Sequence, residues 1–397
     1  MLQDVWKELS LREKIGQTMM IKADPAREIK EFGSIREFLA KYPVGGVFIC
    51  REALTDQDGD ITTIIRAYRE ASPLSLLVAA DAENGCGSLA REMTTLPQLM
   101  ALGATGSTEL ARAYGHTIAL ESAALGIDWS FSPVADLNLN PFNPITNVRA
   151  IGDTAEAAIP LLTAVVRGMQ DGGLIATAKH FPGDGVDYRD QHLVTTANSL
   201  SMEDWRRNHG AVFTALIGAG VDAVMTGHIS LPAYQSRIAE GGYLPATLSH
   251  ELTTRLLKEE LGFGGVVISD ALDMGGFLKW YGRGRGEVEC FKAGTDMLLW
   301  PSCGYIDAVE EAIASGEIPL SRLDEAVSRI RGLKERHGLL AASNRSRREL
   351  TAEEMLFTEN TAVRVAEGSV TLLRDRRGRL PLKRPEVRNA LVIGITA

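Results

Sequence analysis

The sequence predicts an α/β fold, specifically a TIM-type (β/α)8 barrel with a short C-terminal extension. Three observations support this prediction. The chain has 397 residues, of which 45% are hydrophobic and 23% charged, enough for one large barrel with an appendage. Short apolar runs alternate with helical segments, and ionisable residues stand at the carboxyl ends of several of these runs.

The alternation is regular along most of the chain. Apolar, β-rich runs predict strands at 44–50, 75–81, 127–133, 174–180, 221–228, 266–270 and 296–300. Helical spacing of apolar residues predicts helices at 56–71, 108–125, 155–172, 202–219, 249–261 and 305–314. Strands that alternate with helices predict a parallel sheet with helical crossovers. Because the runs are fewer than eight, we expect one or two irregular strands.

The residues at the strand ends favour a closed barrel over an open sheet. Four ionisable residues stand at or just after the last residue of different runs: Asp81, His180, His228 and Asp270. In a (β/α)8 barrel those ends converge on one mouth, where groups distant in sequence meet. An open sheet would spread them apart.

The chain divides into two predicted parts, a barrel over residues 1–340 and an extension over 341–397. A charged segment near 339–348 is typical of a linker. In the extension we predict a helix at 351–367, a strand at 369–373 and a further apolar run at 389–395. This extension is too short for a core of its own. We expect it either to dock on the barrel or to begin a second, truncated domain.

Composition excludes several classes of function. With 42 basic against 51 acidic residues the net charge is −9. The sequence also lacks a basic run interleaved with aromatic residues, the pattern typical of nucleic-acid binding, so nucleic acid is not expected as a partner. The four cysteines are scattered without a CxxC pair, at Cys50, Cys86, Cys290 and Cys303. This pattern favours a reducing compartment. The first residues contain no apolar stretch typical of a signal peptide or membrane span, so we expect a cytoplasmic protein without a membrane partner.

A loop after the run 174–180 holds the densest group of ionisable residues, within 179–192. Asp190 and His192 are one residue apart, so in an extended segment their side chains lie on the same side. A carboxylate bonded to one imidazole nitrogen fixes the tautomer and raises the proton affinity of the other nitrogen, which makes an acid/base pair. The spacing by itself is also compatible with a solvated loop.

Other candidates lie at further strand ends. Asp270 follows a β-branched run and could be a nucleophile, a base, a metal ligand or the N-cap of the next helix. Asp81, Arg149 and Lys179 together suit a ligand with many hydroxyls. His228 could join this substrate-binding set or cap its strand, and we include it in the set.

Taken together, these segments resemble the family-3 glycoside hydrolases, within them the β-N-acetylhexosaminidase branch. Residues 179–185 resemble the Lys-His-Phe-Pro-Gly-His-Gly stretch of that branch, and residues 190–192 follow at its fixed distance in place of Asp-Ser-His. Further similar segments are 11–17, 131–136, 143–144, 261–265 and 269–270. The resemblance extends to 369–373, which is similar to the start of the family's second, α/β domain.

The resemblance implies a role for each matching residue. It implies that Asp270 is the nucleophile, His192 the acid/base and Asp190 its partner. It also implies sugar-binding roles for four residues, Asp81, Arg149, Lys179 and His180. The implied activity is retaining hydrolysis of terminal amino-sugar glycosides, with neither metal nor cofactor. Because a neutral imidazole does not repel anions, phosphate could replace water as the acceptor, so phosphorolysis stays open.

Three departures from the family pattern bear on specificity. Asp184 replaces the second family histidine, Gln191 replaces the serine inside the acid/base pair, and residues 86–89 stand where the family often has arginines. They leave open a β-glucosidase-type enzyme or a non-catalytic sugar-binding protein. A metal-dependent hydrolase using His180, Asp184 and His192 is a further alternative, although the spacing matches no known ligand signature.

Overall fold

The computed structural model describes residues 8–50, 60–236, 242–340 and 348–376, together with Trp6, Gly378, Leu380 and Pro381. In these ranges short parallel strands alternate with helices, which confirms the predicted α/β class. The strands are β1 (Met19–Lys22), β2 (Gly46–Phe48), β3 (Leu77–Ala80), β4 (Trp129–Ser130), β5 (Thr177–Phe181), β6 (Thr196–Ala197), β7 (Ala223–Thr226), β8 (Ile229–Ser230), β9 (Val266–Ser269) and β10 (Leu298–Leu299).

The strands pair in parallel throughout the described ranges. One sheet has the order β10-β1-β2-β3-β4, a second has the order β5-β7-β9, and β6 pairs with β8 at the rim. Single parallel bridges, Trp129 with Ile175 and Ile268 with Met297, lie between the edges of the two larger sheets. The result is a curled parallel sheet whose strand ends face one side.

Both faces of this sheet are buried, as parallel strands require. In β3 the side chains of Leu77 and Ala79 belong to an inner apolar cluster, whereas those of Val78 and Ala80 pack outward under the helices. The same alternation recurs in β7 and β9. Successive strand residues point to opposite faces, so each strand contributes to an inner and an outer core.

Helices cover the outer face. Their bounds are Leu11–Gln17, Pro25–Phe32, Ile35–Lys41, Ile61–Ala71, Leu99–Thr105, Thr108–Leu125, Ala155–Asp171, Met202–Arg207, His209–Gly218, the π-type Glu251–Glu260, Gly275–Leu278, Arg285–Ala293, Tyr305–Ala314, Leu320–Arg336 and Ala352–Gly368. Side-chain caps begin many of them. Ser10, for example, forms a reciprocal capping box with Glu13, which satisfies amide groups that have no partner inside the helix.

The structure adds elements that the sequence prediction did not include and divides one that it did. The added strands are β1, β6 and β8. β1 is a run of four residues, two of them methionine, between two helices, too short and too poor in β-branched residues to be recognised. The added helices are Leu11–Gln17, Pro25–Phe32, Ile35–Lys41, Leu99–Thr105, Gly275–Leu278, Arg285–Ala293 and Leu320–Arg336. The helix predicted at 202–219 is two helices, because Asn208 has a non-helical backbone, with φ −105° and ψ −103°. Residues 56–59 of the helix predicted at 56–71 lie outside the described residues.

The start of the extension packs on the rest of the chain. The predicted helix at 351–367 is confirmed as Ala352–Gly368, and it contacts the helices Leu99–Thr105 and Thr108–Leu125. Thr94 Oγ1 donates to Thr358 Oγ1 over 3.1 Å. The strand predicted at 369–373 is wrong, since this segment has no partner strand among the described residues and Leu373 is 92% exposed. The apolar run 389–395 lies outside the described residues.

None of the helices in the described ranges has both the length and the apolar character needed to cross a membrane.

Candidate active site

The candidate site lies where the parallel strands end. Asp81 follows β3, Lys179 and His180 lie in the last residues of β5, and Asp270 follows β9. The structure brings these side chains together from positions far apart in sequence. Lys179 Nζ lies 2.8 Å from Asp81 Oδ1, and His180 Nε2 lies 4.0 Å from Asp270 Oδ2.

Glu83 joins the two cations of the site. Its carboxylate accepts two hydrogen bonds from Arg149, from Nε over 2.8 Å and from Nη2 over 2.7 Å. Lys179 Nζ lies 2.6 Å from Glu83 Oε1. Burial raises the pKa of the Glu83 carboxyl, but Lys179 and Arg149 outweigh this and hold the pKa well below its ordinary value. Glu83 is therefore ionised and fixes both cations.

Lys179 keeps its charge although it is buried. Its side chain is 4% exposed, and burial by itself lowers the pKa of the ammonium. The carboxylates of Asp81 and Glu83 outweigh burial, so the net pKa shift is upward. Asp81 is the more open partner, with 53% of its side chain exposed. This arrangement presents a fixed cation beside an accessible carboxylate, a combination suited to vicinal hydroxyls.

A second carboxylate, Asp136, holds His180 in place. Asp136 Oδ2 lies 2.7 Å from His180 Nδ1, and Asp136 Oδ1 accepts the His180 backbone N–H over 3.1 Å. Burial lowers the pKa of the imidazole, but the charge of Asp136 outweighs it and the pKa is raised. With Nδ1 engaged, Nε2 faces Asp270.

Asp270 is a carboxylate at the rim rather than a helix cap. The helix that follows begins at Gly275 with Met274 at its N-cap, so the N-cap alternative does not hold. One oxygen accepts the Ala271 backbone N–H over 2.8 Å, and 14% of the side chain is exposed. Burial raises the pKa of this carboxyl, but the imidazoles of His180 and His228 outweigh it, so the pKa is lowered and Asp270 is ionised.

The structure places Asp190 and His192 in contact, as their spacing predicts. His192 Nδ1 lies 2.6 Å from Asp190 Oδ1, which also accepts the His192 backbone N–H over 2.8 Å. The pair is open to solvent, with 53% of the His192 side chain exposed. The His192 carbonyl accepts the backbone N–H of Gly275 over 2.7 Å. The loop is thereby bonded to the segment that follows Asp270.

His228 lies inside the protein with both ring nitrogens engaged. Nδ1 is 3.0 Å from Thr247 Oγ1, and Nε2 is 2.9 Å from the Ala271 carbonyl. Burial lowers the pKa of this imidazole. These contacts favour a role in holding the segment after Asp270 over the substrate contact predicted from the sequence.

A cavity of about 340 Å³ adjoins the cation–carboxylate cluster. Asp81 and Glu83 form its polar wall, and Phe48 and Trp300 contribute aromatic surface. Lys22 Nζ lies 4.9 Å from the centre of the Trp300 ring. Among the described residues, no group of three or more histidine, cysteine, aspartate or glutamate side chains is arranged to hold a metal ion.

Sequence reasoning missed Glu83 and Asp136 as site residues. Asp136 stands in the segment 131–136 that it did single out, Glu83 stands two residues after the candidate Asp81, and each is a carboxylate shortly after an apolar run. That position is the signal that could have identified them. Their partners, Arg149 and His180, belong to other segments and could not be assigned from local sequence.

Comparison with known proteins identifies the family. Residues 10–333 match the glycosyl hydrolase family 3 N terminal domain. The chain belongs to glycosyl hydrolase family 3. This confirms the family resemblance inferred from the motifs. A curated relative, the beta-N-acetylglucosaminidase/beta-glucosidase of Cellulomonas fimi, is 39% identical over 361 residues, covering 88% of this chain and 62% of that protein.

Further relatives and solved structures agree with this family-3 membership. Beta-hexosaminidase A of Pseudoalteromonas piscicida is 29% identical, over 80% of this chain and 59% of that protein. The beta-N-acetylglucosaminidase of Paenibacillus sp. str. FPU-7 superimposes with a TM-score of 0.81 at 35% identity, over 92% of this chain and 70% of that one. A beta-glucoside phosphorylase bound to 2FGlc gives a TM-score of 0.83 at 30% identity, over 97% and 69%.

This family-3 chain spans about three fifths of the length of the first two curated relatives.

Proposed function

We propose that the chain carries the catalytic site of a retaining, exo-acting β-N-acetylhexosaminidase that releases terminal β-linked N-acetylglucosamine. One observation above all supports this: the ionised carboxylate of Asp270 lies in the site, and the loop that carries Asp190 and His192 is bonded to Gly275 just beyond it. A nucleophile and an acid/base group are the two elements that double displacement at a sugar requires. The names of the relatives support the amino-sugar class.

In the proposed first step Asp270 attacks the anomeric carbon and forms a glycosyl ester, while the bond to the leaving oxygen breaks. His192 donates a proton to that oxygen as the bond breaks. Asp190 stabilises the imidazolium that this step needs. In the second step the neutral imidazole takes a proton from water, and the water oxygen attacks the anomeric carbon, which breaks the bond between that carbon and Asp270 and frees the carboxylate.

Four residues bind the sugar in this proposal. Asp81 and Lys179 share a pair of neighbouring hydroxyls, Arg149 is held by Glu83 beside them, and His180 Nε2 lies next to the nucleophile. Because Glu83 and Asp136 fix these groups before a ligand arrives, little reorganisation is needed when the sugar binds. Asp81 also lines the cavity of about 340 Å³, so a sugar bound by Asp81 would lie beside that space.

The experiment that tests the proposed nucleophile is covalent trapping. A 2-fluoro glycosyl inactivator is expected to add the mass of its sugar to a peptide containing Asp270, because the fluorine slows breakdown of the ester. A chain left unmodified by saturating reagent would favour the non-catalytic sugar-binding alternative. Modification of a different carboxylate would contradict the assignment of Asp270.

A second candidate activity is phosphorolysis, favoured by the match over nearly the whole chain to a beta-glucoside phosphorylase. The imidazole of His192, once neutral, does not repel phosphate from the glycosyl ester. Phosphate attack would give a sugar phosphate in place of the free sugar. The test is an assay of aryl N-acetylglucosaminide, glucoside and xyloside, each with and without phosphate. The effect of phosphate separates hydrolysis from phosphorolysis. The ranking of the three sugars separates amino-sugar preference from a β-glucosidase-type preference.

We also propose that β1–β5, β7, β9 and β10 close into a (β/α)8 barrel within residues 1–340, and that residues 341–397 begin a second domain. The bridges between the two sheet edges support closure. A crystal structure with continuous pairing around these strands is the expected result, and a gap at Trp129–Ile175 would contradict it. A cytoplasmic location, expected from the scattered cysteines, stays a prediction.

A further inference from the structure

Gln191 is buried between the half-buried Asp190 and the exposed His192. It has 0% exposure, so its side chain points into the protein while its neighbours face solvent. Nε2 donates to Asp184 Oδ2 over 3.2 Å, and Oε1 accepts the His228 backbone N–H over 2.9 Å. One side chain therefore ties the loop to the segments that follow β5 and β7.

Asp184, the partner of Gln191, is also buried, with 2% exposure. Oδ1 accepts N–H groups from Asn143 Nδ2 over 2.8 Å and from the Gly185 backbone over 2.7 Å, which leaves Oδ2 for Gln191. Its own backbone N–H donates to Asp136 Oδ1 over 2.7 Å. Burial and the charge of Asp136 raise the pKa of the Asp184 carboxyl to about 6, so this carboxyl is ionised at pH 8.

The hydrogen bond between Gln191 and Asp184, here called the bridge, is connected to both sides of the site. Asp136, at one end, holds His180, which faces Asp270. His228, at the other end, holds the carbonyl of Ala271, the residue after Asp270. Little space surrounds the bridge, since a Cβ placed on Gly227 would lie 3.0 Å from Gln191 Oε1. Asp184 and Gln191, two of the departures from the family pattern, are thus hydrogen-bonded partners.

We propose that Asp184 and Gln191 are positioning residues that fix the Asp190–His192 loop relative to Asp270. This inference rests on the proposed function and adds a role for two residues that touch no substrate. An exposed acid/base pair on a loop is effective only if the loop returns the imidazole to one position, because small displacements of a proton donor slow its transfer. The buried Gln191 amide supplies that anchor from within the pair itself.

The test exchanges donor and acceptor within the bridge. Gln191→Glu places a carboxylate against Asp184, and Asp184→Asn places an amide N–H against the Gln191 amide, so each single variant breaks the contact. In the double variant the amide at position 184 would donate to the carboxylate at position 191. This reversed hydrogen bond leaves the net charge of the pair unchanged, while the remaining oxygen atoms still accept from Asn143 and His228. Activity is measured at pH 8 on an alkyl and on a 4-nitrophenyl N-acetyl-β-glucosaminide.

We expect each single variant to lose at least about tenfold in kcat/KM on the alkyl glycoside. This loss is a fraction of the rate enhancement of roughly 100- to 10,000-fold that general acid catalysis contributes. The 4-nitrophenyl glycoside, which needs little acid help, is expected to lose much less. The double variant is expected to regain most of the alkyl-glycoside activity. Gln191→Met, which keeps side-chain length and removes both amide contacts, is expected to behave like the single variants.

Gln17→Ala is the matched control, because Gln17 is equally buried and lies before β1, at the opposite end of the strands. It is expected to lower the thermal unfolding midpoint without changing the ratio of the two activities. Equal losses on both glycosides in Q191E and Q191M, or no recovery in the double variant, would overturn the positioning role. A wild-type chain inactive on both glycosides would overturn the proposed function itself.

Discussion

At the scale of single residues, the charged groups around Lys179 and His180 are paired with groups from distant parts of the chain. Glu83 forms ion pairs with Arg149 and Lys179, and Asp136 orients His180. Buried charges cost free energy unless they are paired and hydrogen-bonded. These pairs therefore let the protein keep charged groups beside a cavity, ready for a polar ligand.

Replacing Asp270 by alanine is expected to abolish turnover of both activated and unactivated glycosides, because no other group would form the glycosyl ester. The expected loss in kcat exceeds about 10⁴-fold, in the range seen when a nucleophile is removed. Steady-state assays on both substrates measure it. Asp273→Ala, which removes an exposed carboxylate three residues further on, is the control and is expected to stay active. Substantial residual activity in D270A would contradict the nucleophile assignment.

Replacing His192 by alanine is expected to separate the substrates by leaving group. Unactivated glycosides are expected to lose about 100-fold or more, the usual contribution of a general acid, whereas activated aryl glycosides lose far less in the first step. Comparison of kcat/KM on the two classes checks this. His250→Ala, at another exposed histidine, serves as the control. Equal losses on both classes would remove His192 from the acid role.

At the scale of elements, the site depends on how the loop around residues 182–194 meets the segment after β9. Gly275 and Gly276 lie against this loop at the point where its backbone carbonyls approach. A Cβ on Gly276 would lie 2.5 Å from the Gln191 carbonyl oxygen and 2.8 Å from His228 Cβ. Only glycine allows the two segments this close.

Gly276→Ala is therefore expected to push the loop away from Asp270. We expect a loss of about 1–3 kcal/mol in the free energy of unfolding, the usual cost of overpacking, and a loss of activity that is larger on unactivated glycosides. Urea unfolding and the two-substrate assay measure these effects. Gly264→Ala, where a Cβ would meet nothing within 4 Å, is the matched control. An unchanged G276A variant would show that the contact is not needed.

At the scale of the whole molecule, Lys334 links the helix Leu320–Arg336 to the opposite end of the strands from the site. Its Nζ donates to Gln17 Oε1 over 2.8 Å and to the Ser75 carbonyl over 2.5 Å. It also lies 5.0 Å from the centre of the Trp6 ring. Burial lowers the pKa of this ammonium to about 7.

This lowered pKa predicts a pH dependence of stability. Between pH 7 and 10 the unfolded chain holds a proton on Lys334 that the folded chain has released, so the free energy of unfolding rises with pH over this interval. The rise from this group is at most about 5 kcal/mol. In Lys334→Met that part of the rise is expected to be absent, as measured by urea unfolding at several pH values. Lys30→Met, at an exposed lysine, should keep it, and identical profiles for wild type and K334M would contradict the prediction.

Local patterns in the sequence were sufficient to predict the α/β class, most of the strands and the paired Asp190 and His192. Strand runs and helical spacing are visible within a short stretch of sequence, because the burial of an element's faces decides which of its positions are apolar. The same holds for Asp190 and His192, whose contact spans a single intervening residue. The strand at 369–373 failed because a strand needs a partner, and a partner is not a local property.

The sequence by itself determined the α/β class, the family motifs and the strand ends that carry candidate catalytic groups. Only the tertiary structure decided which groups meet. It assigned Glu83 to Lys179 and Arg149, and it placed His228 in the interior. These contacts join residues tens of positions apart in the sequence. The folding of the chain, rather than any local pattern, sets the distances over which their charges and hydrogen bonds act.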